Sequence, residues 1–339
     1  MKLRIATRAS KLAMTQSEWV ASRLRAHRPD LEVEYVTIET RGDRELKKPL
    51  AAIGGKGLFV SEVEALVMDG LADIAVHSLK DVPGDVDLPE GYDLLCIPER
   101  EDPSDVLVSE KGLSLDELPA GARVGTTSLR REAQLKARRP DLEVHTLRGN
   151  VQTRLDRLDR GDFDAIVLAA AGLRRLGLFD ARAKVVLPFD ICLPAVGQGT
   201  LAIEGAVDRD DLRALLAPLE CERSRVRMEA ERKLLRLLEG SCRSAIAGHA
   251  SLSEDGRRLL LEGFVGSVDG KRPLRASSEV YLREGEDRVA AARALGEEVA
   301  EMLLTRGARE VMRDAEADVL RREKGGNGGG QGGDRFKWR

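Results

Sequence analysis

Short apolar segments alternate with helix-like segments at the start of the chain, and this alternation limits the fold more than any other feature. Leu3–Thr7 predicts a strand, and a helix follows from an N-cap at Ser10. Glu32–Glu39 predicts a second strand, and Ile74–His77 a third that is buried. Strands that alternate with helices are typical of βαβ units in a largely parallel sheet. We therefore expect an α/β fold.

The same alternation repeats further along the chain. Ala122–Gly125, Glu143–Leu147 and Ala165–Ala169 predict strands. Helices are predicted to begin at the caps Ser128 and Asn150, whose side chains can accept a hydrogen bond from a helix N–H group. The sequence therefore predicts a second α/β unit.

Two proline-containing segments separate these units. Glu99–Pro103 and Leu193–Gly199 are predicted to be crossovers between domains. Leu201–Glu204 then predicts a strand that rejoins the first sheet. The first domain is therefore expected to be discontinuous in sequence.

A third region begins near Arg213, and 339 residues suit two or three domains. A long helix over Ser224–Leu238, a strand pair and a helix near Val289–Arg306 predict a smaller α+β domain. The Gly-rich end cannot bury enough apolar surface to offset chain entropy and is predicted to be disordered. The predicted division is 1–98 with 194–212, 99–193, 213–322, and a tail at 323–339.

The overall charge argues against a nucleic-acid or membrane-surface protein. The net charge is -3, the pI is about 6.0 and only 3% of residues are aromatic. Bulk attraction to polyanions and stacking platforms for single strands are therefore not expected. Most of the 55 basic residues are arginine, which binds carboxylate or phosphate through two parallel hydrogen bonds.

The cysteines and histidines favour neither a metal site nor a disulfide framework. Four cysteines and four histidines are scattered through the chain, and no cysteine pair has metal-ligand spacing. The N-terminus shows no apolar signal region, and no apolar run approaches a membrane span. We expect a cytoplasmic protein with reduced cysteines.

Arginines lie at the starts of two predicted helices. Arg130 and Arg131 follow the cap at Ser128, and Arg148 and Arg154 flank the cap at Asn150. Free N–H groups at a helix start favour an anion, so cations there need a further reason to be present. An ordinary cap with solvated arginines is the alternative, but two such sites in one domain favour carboxylate or phosphate recognition.

Two further sites lie at predicted strand ends. Arg8 and Ser10 follow the first strand, at the sheet edge that lines the ligand crevice in open α/β folds. Asp81 follows the buried strand and Lys80, and Pro83 stiffens the turn. Asp81 could stabilise a developing cation or transfer a proton. A surface turn with a local Lys80–Asp81 pair remains the alternative.

The glycines of Gly54–Gly57 open a predicted helix but do not form a Walker phosphate loop, because no GK[ST] ending is present. A flexible turn is the simplest interpretation. A mobile lid that carries Lys56 and Phe59 is the functional one.

Cys242 lies among Gly240, Ser241 and Arg243 after the long predicted helix. A free cysteine is most often a small buried apolar residue. A small, polar and basic setting instead favours exposure and thiolate character. We therefore take Cys242 as a candidate nucleophile that tethers a large anionic group.

These stretches together resemble the porphobilinogen deaminase family. The resemblance keeps its order over about residues 2 to 315, which makes it far more specific than any single motif. The matching stretches are Arg4–Ala13, Gly54–Phe59, Asp73–Pro83, Val124–Arg131, Leu147–Arg154, Ala171–Gly177, Pro194–Gly199 and Ala230–Arg232.

The resemblance implies two periplasmic-binding-protein-like α/β domains around a hinged cleft, with a smaller α+β C-terminal domain. It also implies a transferase that condenses porphobilinogen, with loss of ammonia, onto a dipyrromethane cofactor, then releases a linear tetrapyrrole. A cytoplasmic monomer without nucleic-acid, membrane or metal partners is implied. The implied roles are Asp81 as catalytic carboxylate and cofactor contact; Cys242 as thioether attachment; Lys80, Ser128, Arg130 and Arg131 at the cofactor; Arg8, Ser10, Arg148, Arg154 and Arg175 at the substrate; Lys56 and Phe59 on the lid.

The chain departs from the family pattern near the cysteine and near the lid. Ser241 replaces a usual glycine, and Ala245 stands where proline is usual. Ala52 and Ser61 occupy positions where lysine is frequent. These differences concern loop conformation and one or two cleft cations, not the thiol.

Two rival functions fit part of the sequence. A hinged periplasmic-type protein that binds a small anion would show the same βαβ alternation and both crossovers. The missing export signal and the third region that carries Cys242 count against it. An arginine-guided nucleic-acid binder is disfavoured by the acidic pI and the few aromatic residues.

Overall fold

The computed structural model describes residues 2–40, 60–84, 87–182, 185–239 and 244–326. No helix within these ranges is both long and apolar enough to cross a membrane. The helices are α1 (Lys11–His27), α2 (Ser61–Met68), α3 (Leu129–Arg138), α4 (Val151–Asp159), α5 (Ala170–Arg175), α6 (Phe179–Arg182), α7 (Asp210–Leu216), α8 (Glu222–Leu237), α9 (Arg288–Thr305) and α10 (Ala308–Gly326), with 3-10 turns at Leu79–Asp81 and Ala217–Leu219.

The strands form two five-stranded sheets and one three-stranded sheet. They are β1 (Lys2–Arg8), β2 (Glu32–Ile38), β3 (Ile74–Ser78), β4 (Tyr92–Cys96), β5 (Asp105–Ser109), β6 (Arg123–Gly125), β7 (Glu143–His145), β8 (Ala165–Ala169), β9 (Val185–Leu187), β10 (Leu201–Ala206), β11 (Ile246–Leu252), β12 (Arg258–Gly266) and β13 (Pro273–Tyr281).

The two five-stranded sheets share one topology. The first has the order β2-β1-β3-β10-β4, and the second has the order β7-β6-β8-β5-β9. In each, the first three strands are parallel and the fourth is antiparallel to both neighbours. The expectation of a largely parallel sheet is therefore corrected, because half of the pairings are antiparallel.

The antiparallel pairings arise from one reversed strand in each sheet, β10 in the first and β5 in the second. β5 is the first strand after the chain leaves the first sheet, and β10 is the first after it returns. Each enters its new sheet from the crossover and runs against the strands made by βαβ connections. The prediction that the segment after the second crossover rejoins the first sheet is confirmed, since Leu201–Gly205 pairs with β3.

Local capping signals were predicted correctly. The side chains of Ser10, Ser128 and Asn150 accept hydrogen bonds from the N–H groups three residues ahead, at the starts of α1, α3 and α4. Each bond satisfies one helix donor that would otherwise have no partner. These caps also bring Arg8, Arg131 and the end of β7 to one side of their sheets.

The third sheet is an antiparallel meander, β11-β12-β13, that packs on α8 and α9. Leu234, Leu261 and Val299 are fully buried in the shared apolar cluster. At Gly296 a Cβ would lie 2.5 Å from the Ala230 carbonyl oxygen, so glycine lets α8 and α9 approach closely. The strand pair was predicted, whereas β11 was not.

Helix α10 also was not predicted, and it corrects the start of the tail. It continues to Gly326, so residues 323–326, predicted to be disordered, are helical. Val311, Met312 and Ala315 pack one face of α10 into the third region. This i, i+1, i+4 spacing places them on one stripe, which explains why a helix forms before the Gly-rich residues begin.

The two crossovers lie directly against each other at Gly199. The Glu101 N–H donates to the Gly199 carbonyl at 3.1 Å, and Arg175 Nη2 donates to the same carbonyl at 2.8 Å. Gly199 has φ +88°, and a Cβ there would lie 2.2 Å from the Glu101 carbonyl oxygen. Only glycine satisfies both constraints.

We predict that Gly199→Ala lowers the free energy of unfolding by about 2–4 kcal/mol, because it combines backbone strain with a backbone clash. Gly161→Ala is the matched control, since Gly161 has φ +77° with nothing within 4 Å of its added Cβ. That control should cost about 1 kcal/mol. Denaturant unfolding of both variants gives the comparison, and equal losses would show that the crossovers can move apart freely.

Candidate active site

A cavity of about 520 Å³ lies between the two five-stranded sheets. Among the described residues, its walls carry cationic side chains from both units and two acidic ones, Glu39 and Asp81. The cationic side chains are Arg8, Lys80, Arg131, Arg148, Arg154 and Arg175.

The cavity lies where parallel strands end. Arg8 closes β1, the Leu79–Asp81 turn follows β3, and Arg131 lies in the first turn of the helix after β6. Arg148 follows β7, and Arg175 ends the short helix after β8. Carboxyl ends of parallel strands meet at one sheet edge, so the topology alone gathers residues distant in sequence.

The turn that carries Lys80 and Asp81 is anchored on both sides of Leu79. The Leu79 N–H donates to the Thr200 carbonyl at 2.9 Å, and the Val82 N–H donates to the Leu79 carbonyl at 3.0 Å. Leu79 itself is buried. Asp81 is therefore held at the cavity wall by backbone hydrogen bonds rather than by its own side chain.

Asp105, at the start of β5, holds two arginine side chains beneath the cavity. Its Oδ2 accepts from Arg130 Nη1 at 2.7 Å, and its Oδ1 accepts from Arg131 Nε at 3.1 Å and Nη2 at 2.6 Å. Asp105 is 0% exposed. Burial alone would raise the pKa of this carboxyl, but the two guanidiniums outweigh it and hold the pKa well below its usual range.

Further acceptors complete the environment of the two guanidiniums. Arg130 Nη1 donates to the Leu193 carbonyl at 2.6 Å, and Arg131 Nη1 donates to the Val167 carbonyl at 2.9 Å. Arg130 Nε is buried without a hydrogen-bond partner among the described residues. A buried N–H of this kind is a donor that a bound group could satisfy.

Burial lowers the pKa of three further cavity cations, Arg148, Arg154 and Arg175. Burial lowers the pKa of Arg154 to about 10, and the positive charges of Arg131 and Arg148 act in the same direction. Burial likewise lowers the pKa of Arg175 to about 10, and it lowers the pKa of Arg148. An anion bound in the cavity would reverse these shifts, so the electrostatics favour an anionic ligand.

Lys80 adds a titratable cation to this wall. Although the residue is exposed to the cavity, surrounding protein desolvates its ammonium and lowers the pKa to about 8; the neighbouring Asp81 partly opposes this effect. Lys80 is therefore still charged at neutral pH and responds to a nearby anion.

Eight of the predicted site residues line this one cavity: Arg8, Ser10, Lys80, Asp81, Arg131, Arg148, Arg154 and Arg175. Ser128 instead caps α3, and Arg130 turns to Asp105, so neither contributes to the described wall. Cys242, Lys56 and Phe59 lie outside the described residues. Over the described ranges, no cluster of His, Cys, Asp or Glu could hold a metal ion.

Asp105 was missed by sequence reasoning, as was Gln198. Gln198 Nε2 donates to Asp105 Oδ1 at 2.9 Å and to the Pro103 carbonyl at 2.6 Å. A single aspartate at the start of a strand carries no motif. The adjacent pair Arg130-Arg131 was the available signal, because two buried cations require a counter-charge.

Comparison with known proteins identifies the family. Residues 3–214 match the family model "porphobilinogen deaminase, dipyromethane cofactor binding domain", and residues 225–305 match "porphobilinogen deaminase, C-terminal domain". The chain belongs to the porphobilinogen deaminase family. The family resemblance inferred from the sequence is thereby confirmed, and the rival of a periplasmic-type binding protein is not favoured.

Individual relatives agree with this assignment. A porphobilinogen deaminase of Nitratidesulfovibrio vulgaris (strain DSM 19637 / Miyazaki F) is 51% identical over 312 residues, which cover 92% of this chain and 96% of that protein. The predicted α/β class, two α/β units with a smaller C-terminal domain, is also confirmed.

Likenesses to solved structures are distant. A methionine-binding protein is 14% identical, with a TM-score of 0.42 over 65% of this chain and 91% of that one. A periplasmic domain of Bordetella pertussis BvgS is 17% identical, with a TM-score of 0.36 over 64% of this chain and 84% of that one. Neither likeness carries an argument about a ligand.

The wall of the cavity fits the dipyrromethane cofactor of the family. Each pyrrole ring of that cofactor carries an acetate and a propionate arm, so it presents several carboxylates. The cavity offers guanidiniums whose pKa values are lowered by burial, notably those of Arg154 and Arg175. Carboxylates would supply the missing counter-charge through paired hydrogen bonds.

We predict that Asp105→Asn lowers the free energy of unfolding by about 3–5 kcal/mol, because two buried guanidiniums lose their counter-charge. Asp116→Asn is the control, since it removes an ion pair with Arg138 whose side chains are both about half exposed. That control should cost less than about 1 kcal/mol.

The carboxylate of Asp105 also determines whether the free energy of unfolding rises or falls with pH. A carboxyl whose folded pKa lies below its ordinary value of 3.8 stabilises the fold above that pH and loses this contribution as the pH falls further. Denaturant unfolding at pH 7 and below pH 4 should show the difference between wild type and Asp105→Asn shrinking with acid. A difference independent of pH would contradict the assigned charge state.

Proposed function

We propose that this enzyme is a transferase that joins porphobilinogen units stepwise and releases hydroxymethylbilane. The observation that supports this most strongly is the convergence of six cations with the carboxylates of Asp81 and Glu39 around one cavity of the described residues. A growing chain of pyrroles gains carboxylate arms with each unit, and such a cavity suits that product. Membership of the family agrees with this reaction.

We propose that Cys242 carries the cofactor through a thioether. The other cysteines are poorly suited to this role. Burial raises the pKa of Cys192 to about 12 and raises the pKa of Cys96 as well, so their thiolates are disfavoured. Cys221 lies at the start of α8, where its N–H donates to the Ile97 carbonyl, and it does not line the described cavity.

We propose that Asp81 stabilises the positive charge that develops on the substrate. The aminomethyl carbon of porphobilinogen loses ammonia, its C–N bond breaks, and the ring nitrogen and methylene carbon share a positive charge. A carboxylate fixed beside the ring N–H stabilises that charge without first reorganising. Asp81 meets this requirement because backbone hydrogen bonds hold its turn.

The balance of each cycle is simple. When bound, the cofactor would supply a free pyrrole carbon as the nucleophile for the new C–C bond. The proton displaced from that carbon would leave with the ammonia as ammonium. After the last addition, the bond between the terminal pyrrole carbon of the primer and the first methylene carbon of the product would break. Water would supply the hydroxyl to that methylene carbon, and a proton would return to the pyrrole carbon.

We propose a division of labour among the cations. Lys80, Arg131 and Arg130 would bind the arms of the cofactor, with Ser128 fixing the helix start that presents them. Arg130 would act through its unpartnered Nε. The side chains proposed to bind substrate arms are Arg8, Ser10, Arg148, Arg154 and Arg175. Lys56 and Phe59 would cover the cleft as a lid.

We propose the domain division 1–98 with 194–212, 99–193 and 213–322, because each of these parts contributes the strands of one sheet. A cytoplasmic monomer that requires no metal, nucleic acid or membrane partner is part of the same proposal. The absence of a bulk positive charge supports it, since the net charge is -3.

We predict that purified wild-type protein exceeds the mass of its translated chain by one dipyrromethane group, and that Cys242→Ser does not. Cys242→Ser should also fail to form tetrapyrrole. Cys221→Ser, which removes a different cysteine that is partly exposed, should keep both the added mass and the activity. Intact-protein mass spectrometry tests attachment, and an unchanged adduct on Cys242→Ser would move the tether elsewhere.

We predict that Asp81→Asn lowers turnover by roughly 10²–10³-fold, as removal of a transition-state stabiliser does in other enzymes. The fold and the bound cofactor should persist, because neighbouring backbone groups hold the turn. Asp87→Asn, which affects an exposed pair with Arg236, is the control. Single-turnover ammonia release measures the effect, and near-normal release with a native melting profile would refute the role of Asp81.

A further inference from the structure

One face of helix α8 packs on the turn that follows Asp81. Met228, Arg232 and Leu235 lie on this face at spacings of four and three residues, which places them on one helical stripe. Met228 shares a buried cluster with Leu79 and Val82. The stripe therefore packs against the buried residues that flank Lys80 and Asp81.

Leu235 packs so closely on the end of this turn that a side chain would not fit there. A Cβ added to Gly84 would lie 2.6 Å from Leu235 Cδ2. The helix and the turn are thus in direct contact at both ends of the stripe, and Arg232 lies between them.

Arg232 binds the backbone immediately after Asp81. Its Nη2 donates to the Pro83 carbonyl at 3.0 Å, and its Nη1 donates to the Val82 carbonyl at 3.4 Å. Burial lowers the pKa of the Arg232 guanidinium, and attraction to Glu229 and Asp93 only partly offsets this. Burial of this guanidinium costs free energy, and its hydrogen bonds to two carbonyl groups hold it in this position.

These two carbonyls belong to the backbone segment that directly follows Asp81. Pro83 fixes its own φ and favours extended backbone at Val82, which has φ -77° and ψ 122°. The Leu79 N–H bond to Thr200 fixes the other end of the turn. With both ends held, Asp81 has little backbone freedom.

Helix α8 is itself fixed by Glu231. Glu231 Oε1 accepts from Arg100 Nη1 at 2.5 Å and from the Ala250 N–H at 2.8 Å, and its Oε2 accepts from the Gly197 N–H at 2.7 Å. One carboxylate thereby ties α8 to both crossovers and to β11. The same helix ends at Leu237, five residues before Cys242 in sequence.

We propose that Arg232 is a positioning residue that fixes the Asp81 turn relative to the helix that leads to Cys242. This inference rests on the proposed role of Asp81. Arg232 donates only to main-chain carbonyls in the contacts above, so its effect on the reaction passes through the carboxylate that those carbonyls orient.

A double-mutant cycle with Arg232→Leu and Asp81→Asn tests this dependence. Arg232→Leu alone should lower kcat by about tenfold to a hundredfold, because a displacement near 1 Å costs about that much, and should change KM less than about twofold. In the Asp81→Asn background the same substitution should lower kcat no further, since the carboxylate it positions is already gone. Single-turnover ammonia release measures all four proteins.

Three controls distinguish a role of Arg232 in positioning Asp81 from a role in protein folding or in cofactor attachment. Arg236→Leu removes an arginine one turn along α8 that pairs with the exposed Asp87, and it should leave kcat unchanged. Arg232→Lys, which keeps a donor, should recover part of the lost rate. Intact mass of Arg232→Leu should still show the bound cofactor. If Arg232→Leu does not fold, Arg232→Gln takes its place in the cycle.

Each outcome has a distinct meaning. Equal losses from Arg232→Leu in both backgrounds would overturn the proposal and make Arg232 a structural residue. Loss of the added mass would also overturn it, because Arg232 would then serve cofactor loading. An Asp81→Asn protein with normal turnover would refute the proposed role of Asp81 itself, which the comparison of wild type with that single variant reveals separately.

Discussion

The buried carboxylate of Asp105 is the interaction on which the cavity depends. Two adjacent guanidiniums, those of Arg130 and Arg131, lie beneath the cavity wall and would repel each other without it. Water cannot take the place of this carboxylate, because Asp105 is fully buried. Because Asp105 holds both guanidiniums, the Arg131 side chain is already fixed in place at the cavity. Such preorganisation lowers the entropy cost of binding an anion.

A series of hydrogen bonds links this carboxylate to the third region. Glu231 of α8 binds Arg100, and Arg100 Nε donates to the Gln198 carbonyl at 2.9 Å. Gln198 Nε2 in turn donates to Asp105 Oδ1 at 2.9 Å. Each partner lies on a different segment: α8, the first crossover, the second crossover and β5. The two crossovers are therefore joined by directional hydrogen bonds.

Features set by neighbours in sequence could be predicted, and features set by distant contacts could not. The caps Ser10, Ser128 and Asn150 were predicted because a cap binds an N–H only three residues ahead. Strands β4, β5 and β9 were missed because their pairing partners are remote in sequence. Strand β11 was also missed, although its partner β12 is the next strand along the chain. The bond between Arg130 and Asp105 joins residues 25 positions apart, and no local pattern encodes that contact.

The place of β10 has a consequence for biosynthesis. This strand lies between β3 and β4, so the first sheet cannot close until residue 206 has left the ribosome. All strands of the second sheet lie within residues 105–187 and emerge earlier. Domains fold largely as units during translation. The unit in the middle of the chain is therefore complete first, and the nascent amino-terminal unit waits with an open sheet edge, where chaperones would be expected to bind.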